Sequence, residues 1–473
     1  MTASISILDA VADANLFAPS FGGESWARWR AFLAALFGLP LTEPDLAIYR
    51  HHTGRTAPPL DGAFREAALV CGRRAGKSAV LALIAVYLAT FRNYEPYLSL
   101  GEQAVIAVIA ADRKQARVIL RYCVGLLRGT RLLAPFVVRD DAESVELTNH
   151  VVIEIHTGRV ASPRGRTFAA VLCDECSHWR TDDASQNPDI EVLNAVRPGL
   201  ATIPGSMLLL ASSPYARRGA LWNAFKRHFG KDDARVLVWQ GTSLEMNPTL
   251  DPAIVEAALE DDPESAKAEF LAEFRSDIDA FVSRDVVDAV TVFGRHELPP
   301  LSAINYNAFF DAAGGSGTDS ITIAVSHLDG EIAVLDAVRE VKPPFSPESV
   351  VTDFAALLKQ YDVSTVTADK YAGDWPKERF SVHGISLTAS DKSKSDIYRE
   401  VLPKLNSKKV ELLDLPRLAS QLVGLERRTG RGGGKDSIDH APGGHDDVAN
   451  AACGALLLAE TGFNPWERWA DKL

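Results

Sequence analysis

The sequence predicts an α/β fold in two successive domains, the first of them built on a mostly parallel sheet. Between Glu66 and about Arg275, short apolar runs such as AVIAVIAA, FAAVLCDE and MLLLASS alternate with helical segments, as in proteins built from βα units. After the proline-rich stretch FGRHELPPLSA, the pattern restarts with three strand-like runs separated by glycine turns. We therefore expect an N-terminal extension (1–60), a first domain (61–280), a linker (281–300) and a second α/β domain (301–473).

Composition and charge fit a folded intracellular protein. With 473 residues, 47% of them hydrophobic and 24% charged, the chain is long enough for two or three domains with full cores. It has no apolar run of roughly 18 or more residues and its N-terminus is acidic, so we expect neither membrane insertion nor export. A net charge of −12 argues against a surface coated with phosphate-binding groups, although basic residues concentrate at 159–166, 217–227 and 427–435.

The first motif is a phosphate-binding loop with one substitution. The stretch CGRRAGKS, residues 71–78, matches G-x-x-x-x-G-K-[ST] except that Cys71 stands at the first glycine position. A strand-like run, REAALV, precedes it and an apolar helical run, SAVLALIAVYLAT, follows it, which is the context that the motif requires. In such loops backbone N–H groups cradle phosphates, the lysine (Lys77) reaches the β/γ oxygens and the hydroxyl (Ser78) binds Mg²⁺. The alternative is a structural turn that happens to be basic.

A second apolar run, FAAVLCDE, ends in Asp174-Glu175 and supplies the other half of a P-loop ATPase site. We expect Asp174 to hold the hydrated magnesium and Glu175 to polarise the attacking water. The distance from Lys77 is 174 − 77 = 97 residues, which leaves room for two or three βα units between two adjacent strands. A helix N-cap after a buried strand would explain the acidic pair alone, but not its pairing with the phosphate loop.

Two features near that strand carry weaker implications. The run SMLLLASSP ends in Ser212-Ser213-Pro214, whose hydroxyls could sense the γ-phosphate, although an ordinary strand-to-loop transition explains them nearly as well. Cys173 and Cys176 form a C-x-x-C pair, but no second pair among the five cysteines completes a zinc ligand set. We therefore expect no metal at these cysteines.

Acidic residues recur at the ends of predicted elements in the second domain. Asp311 closes a strand, Asp369 closes the run STVTAD, and Asp446-Asp447 opens the last helix. Carboxylates placed in this way can converge on a pair of magnesium ions, which stabilise the attacking and leaving oxygens of phosphodiester hydrolysis. Each residue alone has an ordinary alternative as turn former, strand terminator or N-cap. Together with the ATPase motifs upstream, they predict a nuclease.

In this combination and order, the motifs resemble those of the large terminase subunit of tailed double-stranded DNA bacteriophages. The matching elements are GRRAGKS, SPRGRTFAAVLCDECSHW, Ser212-Ser213-Pro214, FFDAAGGSGTDS, TADKYAGDW and GGHDDVANA, within roughly residues 65–460. The resemblance implies a P-loop ATPase domain with a mostly parallel sheet, followed by an RNase H-like α/β nuclease domain. It also implies a motor that hydrolyses ATP to translocate DNA into a procapsid and a two-metal endonuclease that cuts the concatemer.

The resemblance implies a role for each matching residue. The ATP-binding set is Gly72, Arg73, Arg74, Ala75, Gly76, Lys77, Ser78 and Asp174, of which Ser78 and Asp174 also bind Mg²⁺. The catalytic set of the ATPase is Glu175, the phosphate-sensing Arg73 with Arg74 as its competitor, and Arg164, which acts in trans on the next subunit's ATP. The nuclease ligands for Mg²⁺ or Mn²⁺ are Asp311, Asp369 and one or both of Asp446 and Asp447. Successive helix residues point about 100° apart, so the sequence does not choose within the last pair.

The resemblance also implies partners and a location. The partners are double-stranded DNA, the portal protein of the procapsid, a small terminase subunit and further copies of the chain in a ring; no membrane is involved. The location is the host-cell cytoplasm, and transiently the procapsid portal. The adenine-contacting segment of the family is not obvious here, and HHTGRTAPP (51–59) is the tentative candidate.

Two other functions remain as alternatives. A cellular helicase–nuclease would account for the same two activities, but the chain lacks an evident second helicase core. A nucleotide-switched assembly protein without turnover would account for the phosphate loop alone. Glu175 argues against that second alternative, because a binding switch has no need of a carboxylate that activates water.

Overall fold

The computed structural model describes residues 5–158, 165–179, 188–302, 304–312, 320–369, 375–428, 436–441 and 444–460. The described chain divides into two compact units, one ending at residue 276 and the other beginning at residue 277. Among the described helices, none is long and apolar enough to cross a lipid bilayer.

The first unit contains eleven α-helices and eight strands within the described residues. The helices are α1 (Ile7–Ala12), α2 (Ala18–Phe21), α3 (Ala27–Leu36), α4 (Glu43–Thr53), α5 (Lys77–Phe91), α6 (Arg113–Gly129), α7 (Pro188–Val196), α8 (Gly219–His228), α9 (Ser243–Met246), α10 (Pro252–Asp261) and α11 (Pro263–Leu271). The strands are β1 (Glu66–Cys71), β2 (Ala104–Ala110), β3 (Val137–Asp140), β4 (Ser144–Leu147), β5 (Val151–Thr157), β6 (Phe168–Asp174), β7 (Met207–Ser212) and β8 (Val236–Gly241).

These strands form one sheet in the order β3-β4-β5-β2-β6-β7-β1-β8. The six strands from β5 to β8 in that order are parallel, while β4 and β3 add an antiparallel edge. Along β1, Ala67, Leu69 and Cys71 pack into the core that contains α3, α5 and α6. Ala68 and Val70 pack into the opposite core with α7 and α8. Both faces of the sheet are therefore covered, as is typical of parallel sheets.

The strands that carry the two halves of the phosphate site are not neighbours, contrary to the expectation from the sequence. Strand β7 lies between them: it pairs with β1 through Val70 and Ser212, and with β6 through Asp174 and Ala211. The expectation that these strands are adjacent was wrong, because the number of residues between two strands does not determine their order in the sheet. Because β7 lies between β1 and β6, Ser212 at its end stands between the phosphate loop and the acidic pair.

The helices of the N-terminal extension share the core of the first unit. Ring contacts join α3 to β8, with centroid distances of 5.8 Å between Trp29 and Phe32 and 5.5 Å between Phe32 and Trp239. All three rings are almost fully buried. The described helices of the extension thus pack as an integral part of the first unit.

The second unit contains six α-helices and ten strands within the described residues. The helices are α12 (Arg284–Val290), α13 (Pro347–Gln360), α14 (Trp375–Val382), α15 (Lys394–Asn406), α16 (Pro416–Gly424) and α17 (Asp447–Glu460). The strands are β9 (Ile278–Ala280), β10 (Thr291–Val292), β11 (Tyr306–Asp311), β12 (Ile321–Asp329), β13 (Ile332–Val341), β14 (Thr365–Ala368), β15 (Ser386–Ala389), β16 (Val410–Leu413), β17 (Leu425–Arg428) and β18 (Ser437–His440).

The main sheet of this unit has the order β10-β16-β13-β12-β11-β14-β15. Strands β11, β12 and β13 form an antiparallel meander, and β14 and β15 run parallel to β11. A meander extended by two parallel strands next to its first strand is the RNase H-like arrangement. Helices α12, α15, α16 and α17 pack on one face of the sheet, and α13 and α14 pack on the other. The structure confirms the predicted α/β fold class.

The segment 281–300, expected to be a linker, contributes to the second unit. Val287 and Val290 of α12 lie in the same buried cluster as α17, and β10 extends the main sheet by pairing with β16. Strand β9, expected at the end of the first domain, pairs with β17. The prolines that marked a joint in the sequence follow these elements, so the change of unit lies before them.

Close packing of α17 against β11 gives a testable prediction. A Cβ at Gly454 would lie 2.3 Å from the ring of Phe309, so we expect Gly454→Ala to lower the free energy of unfolding by about 1–3 kcal/mol. Gly125→Ala in α6 is the matched control, because a Cβ there meets nothing within 4 Å. That change is expected to stabilise by roughly 0.5–1 kcal/mol. Urea denaturation measures both, and equal midpoints would contradict the packing described here.

Candidate functional site

The phosphate loop, residues 72–76, joins β1 to α5 at the carboxyl edge of the parallel sheet. Gly72 has no room for a side chain, since a Cβ would lie 2.3 Å from Oγ of Ser243 and 2.6 Å from the carbonyl oxygen of Phe270. Gly76 has a φ of +99°, in the left-handed region that glycine adopts without strain. The two glycines that the motif retains are therefore required by the local geometry.

Cys71 occupies the position of the missing glycine and is the last residue of β1. The backbone there is extended and pairs with Gly241 of β8, so this position needs no glycine. The side chain is fully buried, and burial raises the pKa of the thiol to about 12. The cysteine is a core residue that leaves the shape of the loop unchanged.

Lys77 is buried behind the loop, with 5% of its surface exposed. Its Nζ donates hydrogen bonds to the carbonyl oxygens of Cys71 and Gly72, at 3.0 and 3.1 Å. It also lies 3.5 Å from Oε1 of Glu175. The ammonium group is thus held between the phosphate loop and the end of β6, where a positive charge can stabilise phosphate oxygens.

Asp174 provides the observation that tests the site for magnesium. Its Oδ2 accepts a hydrogen bond from the hydroxyl of Ser78 at 3.2 Å, while its buried Oδ1 has no hydrogen-bond partner among the described residues. Burial, together with the charge of Glu175, raises the pKa of Asp174 to about 7. A buried carboxylate oxygen without a partner beside a hydroxyl fits Mg²⁺, a cation that takes oxygen ligands. Ser78 and Asp174 would hold this ion, whose charge neutralises phosphate oxygens during transfer.

Glu175 follows Asp174 in a left-handed conformation, with φ 48°. Its Oε2 accepts hydrogen bonds from the hydroxyl of Ser212 at 3.0 Å and from the N–H of Ser213 at 3.4 Å. Burial opposes ionisation, but Lys77 and these hydrogen bonds outweigh it and lower the pKa of Glu175. Two adjacent carboxyl groups thus have pKa values pushed in opposite directions, a pattern that separates catalytic roles. The serines that the sequence singled out as phosphate sensors hold the expected catalytic carboxylate.

The arginines of the loop point away from its interior. Arg73 is exposed, and its Nη1 lies 2.9 Å from Oε2 of Glu269 on α11. Its backbone N–H also donates to the carbonyl oxygen of Glu269. Arg74 is exposed as well and has φ 65°. Arg164 lies outside the described residues, so its expected role in trans stays a prediction.

The tentative adenine segment, residues 51–59, makes extensive contacts inside the first unit. Arg55 is 2% exposed and donates to the carbonyl oxygens of Ala234 and Val236, at 3.0 and 2.9 Å. His52 stacks on Trp239 with 4.9 Å between ring centroids. These side chains anchor α4 to β8, and an adenine contact by this segment stays a prediction.

A second group of polar residues lies at the carboxyl ends of β11 and β14. Phe310 pairs with Ala368, so Asp311 and Asp369 follow at the same edge of two neighbouring parallel strands. Asn450 of α17 is 1% exposed and its Nδ2 donates to Oδ2 of both carboxylates, at 2.9 and 3.1 Å. A single amide therefore fixes the spacing of the two aspartates.

Asn450 is a site residue that the sequence analysis missed. It lies three residues after Asp447, and residues three apart share one face of a helix. That spacing was the available signal, but asparagine is common on buried helix faces for structural reasons and the interpretation considered only carboxylates.

Asp446 and Asp447 point to different partners. Asp446 is buried, accepts a hydrogen bond from the hydroxyl of Tyr398 at 2.9 Å and pairs with Nζ of Lys394 at 3.0 Å. The Oδ2 of Asp447 accepts hydrogen bonds from the N–H and hydroxyl of Ser320, at 3.3 and 3.0 Å. Asp446 is thus paired with a lysine of α15, whereas Asp447 bonds to Ser320 beside β12. The two aspartates have different partners, and which of them binds a metal stays a prediction.

The neighbouring carboxylates are close enough to Asp311 to affect its ionisation. Burial first, and then the charges of Asp447, Asp369 and Asp446, raise the pKa of Asp311 well above its ordinary value, against the hydrogen bond from Asn450. Like charges held together in this way favour a bound divalent cation. Asp311, Asp369 and Asp447 offer carboxylate oxygens, the donors that Mg²⁺ and Mn²⁺ take, and would hold ions that stabilise both oxygens of a phosphodiester displacement.

The strand orders and the residues at the strand ends define the class of each unit. The first unit is a P-loop nucleotide-binding fold in which the loop, the lysine, the serine and the acidic pair meet at one edge of the sheet. The second unit is an RNase H-like fold with a carboxylate cluster where β11, β14 and α17 meet.

Solved structures with similar chains are phage large terminases. The HK97 bacteriophage large terminase is 15% identical, with a TM-score of 0.38 over 83% of this chain and 91% of that one. A large terminase from a thermophilic bacteriophage, in complex with ADP, is 13% identical, with a TM-score of 0.38 over 82% and 93%. The large terminase nuclease of the thermophilic phage G20c is 17% identical, with a TM-score of 0.32 over 38% and 97%. No protein-family model and no curated protein match the sequence.

The different surroundings of the acidic pair predict different metal affinities. We expect Asp447→Asn to weaken Mn²⁺ binding in the second unit by at least about 100-fold, since it removes a ligand charge. Asp446→Asn is expected to weaken Mn²⁺ binding by only about tenfold, the effect typical of a residue that orients metal ligands without binding the metal itself. Isothermal titration of the full chain with Mn²⁺ measures both variants. A loss with Asp446→Asn equal to that with Asp447→Asn would contradict the division.

Proposed function

We propose that this protein is the large subunit of a phage terminase, an ATP-driven DNA-packaging motor joined to a metal-dependent endonuclease. The observation that carries the proposal is the presence in one chain of two separate sites. One has the residues for ATP hydrolysis, Lys77, Ser78, Asp174 and Glu175. The other is the aspartate cluster bridged by Asn450 on an RNase H-like sheet.

The first site supports hydrolysis rather than nucleotide binding alone. The loop N–H groups and Lys77 bind phosphate oxygens, and Glu175 orients a water molecule and takes its proton as the water oxygen attacks the γ-phosphorus. The bond from that phosphorus to the β–γ bridging oxygen breaks in the same step, and ADP leaves. The hydrogen bonds from Ser212 and Ser213 aim that carboxylate. A nucleotide-switched assembly protein without turnover would not need a carboxylate held in this way.

The second site supports cleavage of a phosphodiester. Asp311, Asp369 and Asp447 would hold the metal ions, and Asn450 sets the spacing of the first two carboxylates. Lys394 and Tyr398 hold Asp446 beside the cluster. A cellular helicase–nuclease would carry a second motor core, but this chain carries the RNase H-like unit in that part of its sequence.

The substrate is the double-stranded DNA concatemer, and the partners are the procapsid portal protein, the small terminase subunit and further copies of the chain in a ring. The protein acts in the host-cell cytoplasm and transiently at the procapsid portal. The motifs shared with large terminases support these partners. With a net charge of −12, the chain must contact DNA through local basic surfaces.

Substitution at each site should separate the two activities. We expect Lys77→Ala to reduce phosphate release by at least about 100-fold, because the charge that stabilises phosphate oxygens is lost, and to spare plasmid cleavage. Asp369→Ala is expected to do the reverse. The measurements are steady-state phosphate release, with and without DNA, and plasmid cleavage with Mg²⁺ or Mn²⁺.

Lys114→Ala and Asp353→Ala are the matched controls, since both side chains are exposed on helices and neither belongs to the two sites described above. Both controls should retain both activities. Loss of both activities in a folded single variant at either site would contradict separable sites. A wild-type chain with no turnover in the presence of portal and DNA would exclude the motor.

The unit boundary predicts which fragment retains nuclease activity. A fragment of residues 277–473 is expected to fold and to cleave plasmid DNA in a metal-dependent way. A fragment of residues 301–473 lacks β9, α12 and β10, whose buried side chains Phe281, Val287 and Val290 fill the core. We therefore expect it to melt at a lower temperature or fail to fold, as circular dichroism would show. A folded 277–473 fragment without cleavage would remove the nuclease half of the proposal.

A further inference from the structure

Three successive carbonyl oxygens of the phosphate loop are each held by a side chain from outside the loop. The three hydrogen bonds are Ser243 Oγ to Arg73 O at 2.6 Å, Asn247 Nδ2 to Arg74 O at 2.9 Å, and Trp29 Nε1 to Ala75 O at 2.9 Å. The donors come from two distant parts of the sequence. Trp29 lies on α3, whereas Ser243 begins α9 and Asn247 follows it.

Holding these carbonyl groups has a direct effect on the N–H groups of the loop. A trans peptide unit is planar, so the carbonyl of one residue and the N–H of the next point in opposite directions. Side chains that fix the carbonyls of residues 73, 74 and 75 outward therefore fix the N–H groups of residues 74, 75 and 76 inward. The N–H of Ala75 indeed points across the loop, 3.3 Å from the carbonyl oxygen of Gly72. Inward N–H groups are the ones that bind phosphate oxygens.

The three donors are themselves held in place. Trp29 and Ser243 are almost fully buried, and a Cβ on Gly76 would lie 3.3 Å from Nε1 of Trp29. The amide of Asn247 is oriented by Thr249, whose hydroxyl donates to Oδ1 at 2.7 Å and leaves Nδ2 facing the loop. Their geometry is fixed by packing and by neighbouring hydrogen bonds, as preorganisation requires.

We infer that Trp29, Ser243 and Asn247 are positioning residues of the nucleotide site, which preset the N–H groups of the phosphate loop for phosphate. The inference rests on the proposed function of this site. It gives the N-terminal helices a role in nucleotide binding through the indole of Trp29.

The test compares two asparagines that make the same kind of bond. Asn247→Ala removes the bond to the loop, and Asn149→Ala removes a 2.8 Å bond from Nδ2 to the carbonyl oxygen of Ala89, near the other end of α5. The probe is the fluorescent nucleotide mant-ADP with Mg²⁺, bound to the full chain. We expect Asn247→Ala to raise the Kd of mant-ADP about tenfold, the effect of losing one hydrogen bond between a loop N–H and a charged phosphate. Asn149→Ala is expected to leave this Kd unchanged. Thermal unfolding should shift by similar amounts in both.

A second pair keeps the test valid where one variant folds poorly. Trp29→Phe keeps an aromatic ring and removes the N–H that binds the loop, while Trp222→Phe makes the same change in α8, where the ring contacts Phe225 and Phe274. We expect only Trp29→Phe to weaken mant-ADP binding, by about five- to tenfold. If Asn247→Ala and Trp29→Phe fold and bind mant-ADP with wild-type affinity, the inference is wrong and the proposed function is unaffected. A wild-type chain that does not bind mant-ADP would overturn the proposed function together with the inference.

Discussion

Buried carboxylates gathered at the edge of a sheet are the constraint on which both sites of this protein depend. Taking a carboxylate out of water is unfavourable by several kcal/mol unless a cation or hydrogen bonds offset the loss. In the first unit, Lys77 offsets the charge of Glu175, while Asp174 keeps a raised pKa. In the second unit, Lys394 neutralises Asp446, and the amide of Asn450 donates hydrogen bonds to Asp311 and Asp369 at the strand ends. Each site thus combines charges that the protein has neutralised with charges that a metal must neutralise.

The position of these charges follows from the direction of the strands. The carboxyl ends of parallel strands meet at one edge, and the chain leaves each strand there in a loop that is free to carry function. Strand β7 shows how strand order refines this rule. Because it lies between β1 and β6, its terminal Ser212 reaches Glu175 rather than a phosphate-loop residue. The hydroxyl at the end of the middle strand therefore acts on the carboxylate of Glu175.

The sequence predicted the charged residues and hydroxyls that act on phosphate or metal, and missed residues that position other groups. Lys77 and Asp174 were predictable because the chemistry demands those residue types at the ends of apolar runs. Trp29 and Asn247 were not, because they bind carbonyl oxygens of a distant loop, and any residue has a carbonyl oxygen. Strand order and the unit boundary were missed for a related reason: both depend on pairings between remote segments, such as β9 with β17. The substitution at Cys71 is explained by its place in β1, which only the strand pairing shows.

The backbone conformation of Glu175 is one that residue preferences alone do not predict. A left-handed backbone is unfavourable for a non-glycine residue by about 1–2 kcal/mol, and glutamate has no short side-chain hydrogen bond to offset it. The conformation persists because the surrounding structure fixes it: Lys77 attracts the carboxylate, and Ser212 and Ser213 donate to it. Such over-determined strain is characteristic of functional positions. In this conformation the carboxylate of Glu175 contacts the lysine that follows the phosphate loop and the serines at the end of β7, so three segments distant in sequence meet at one side chain.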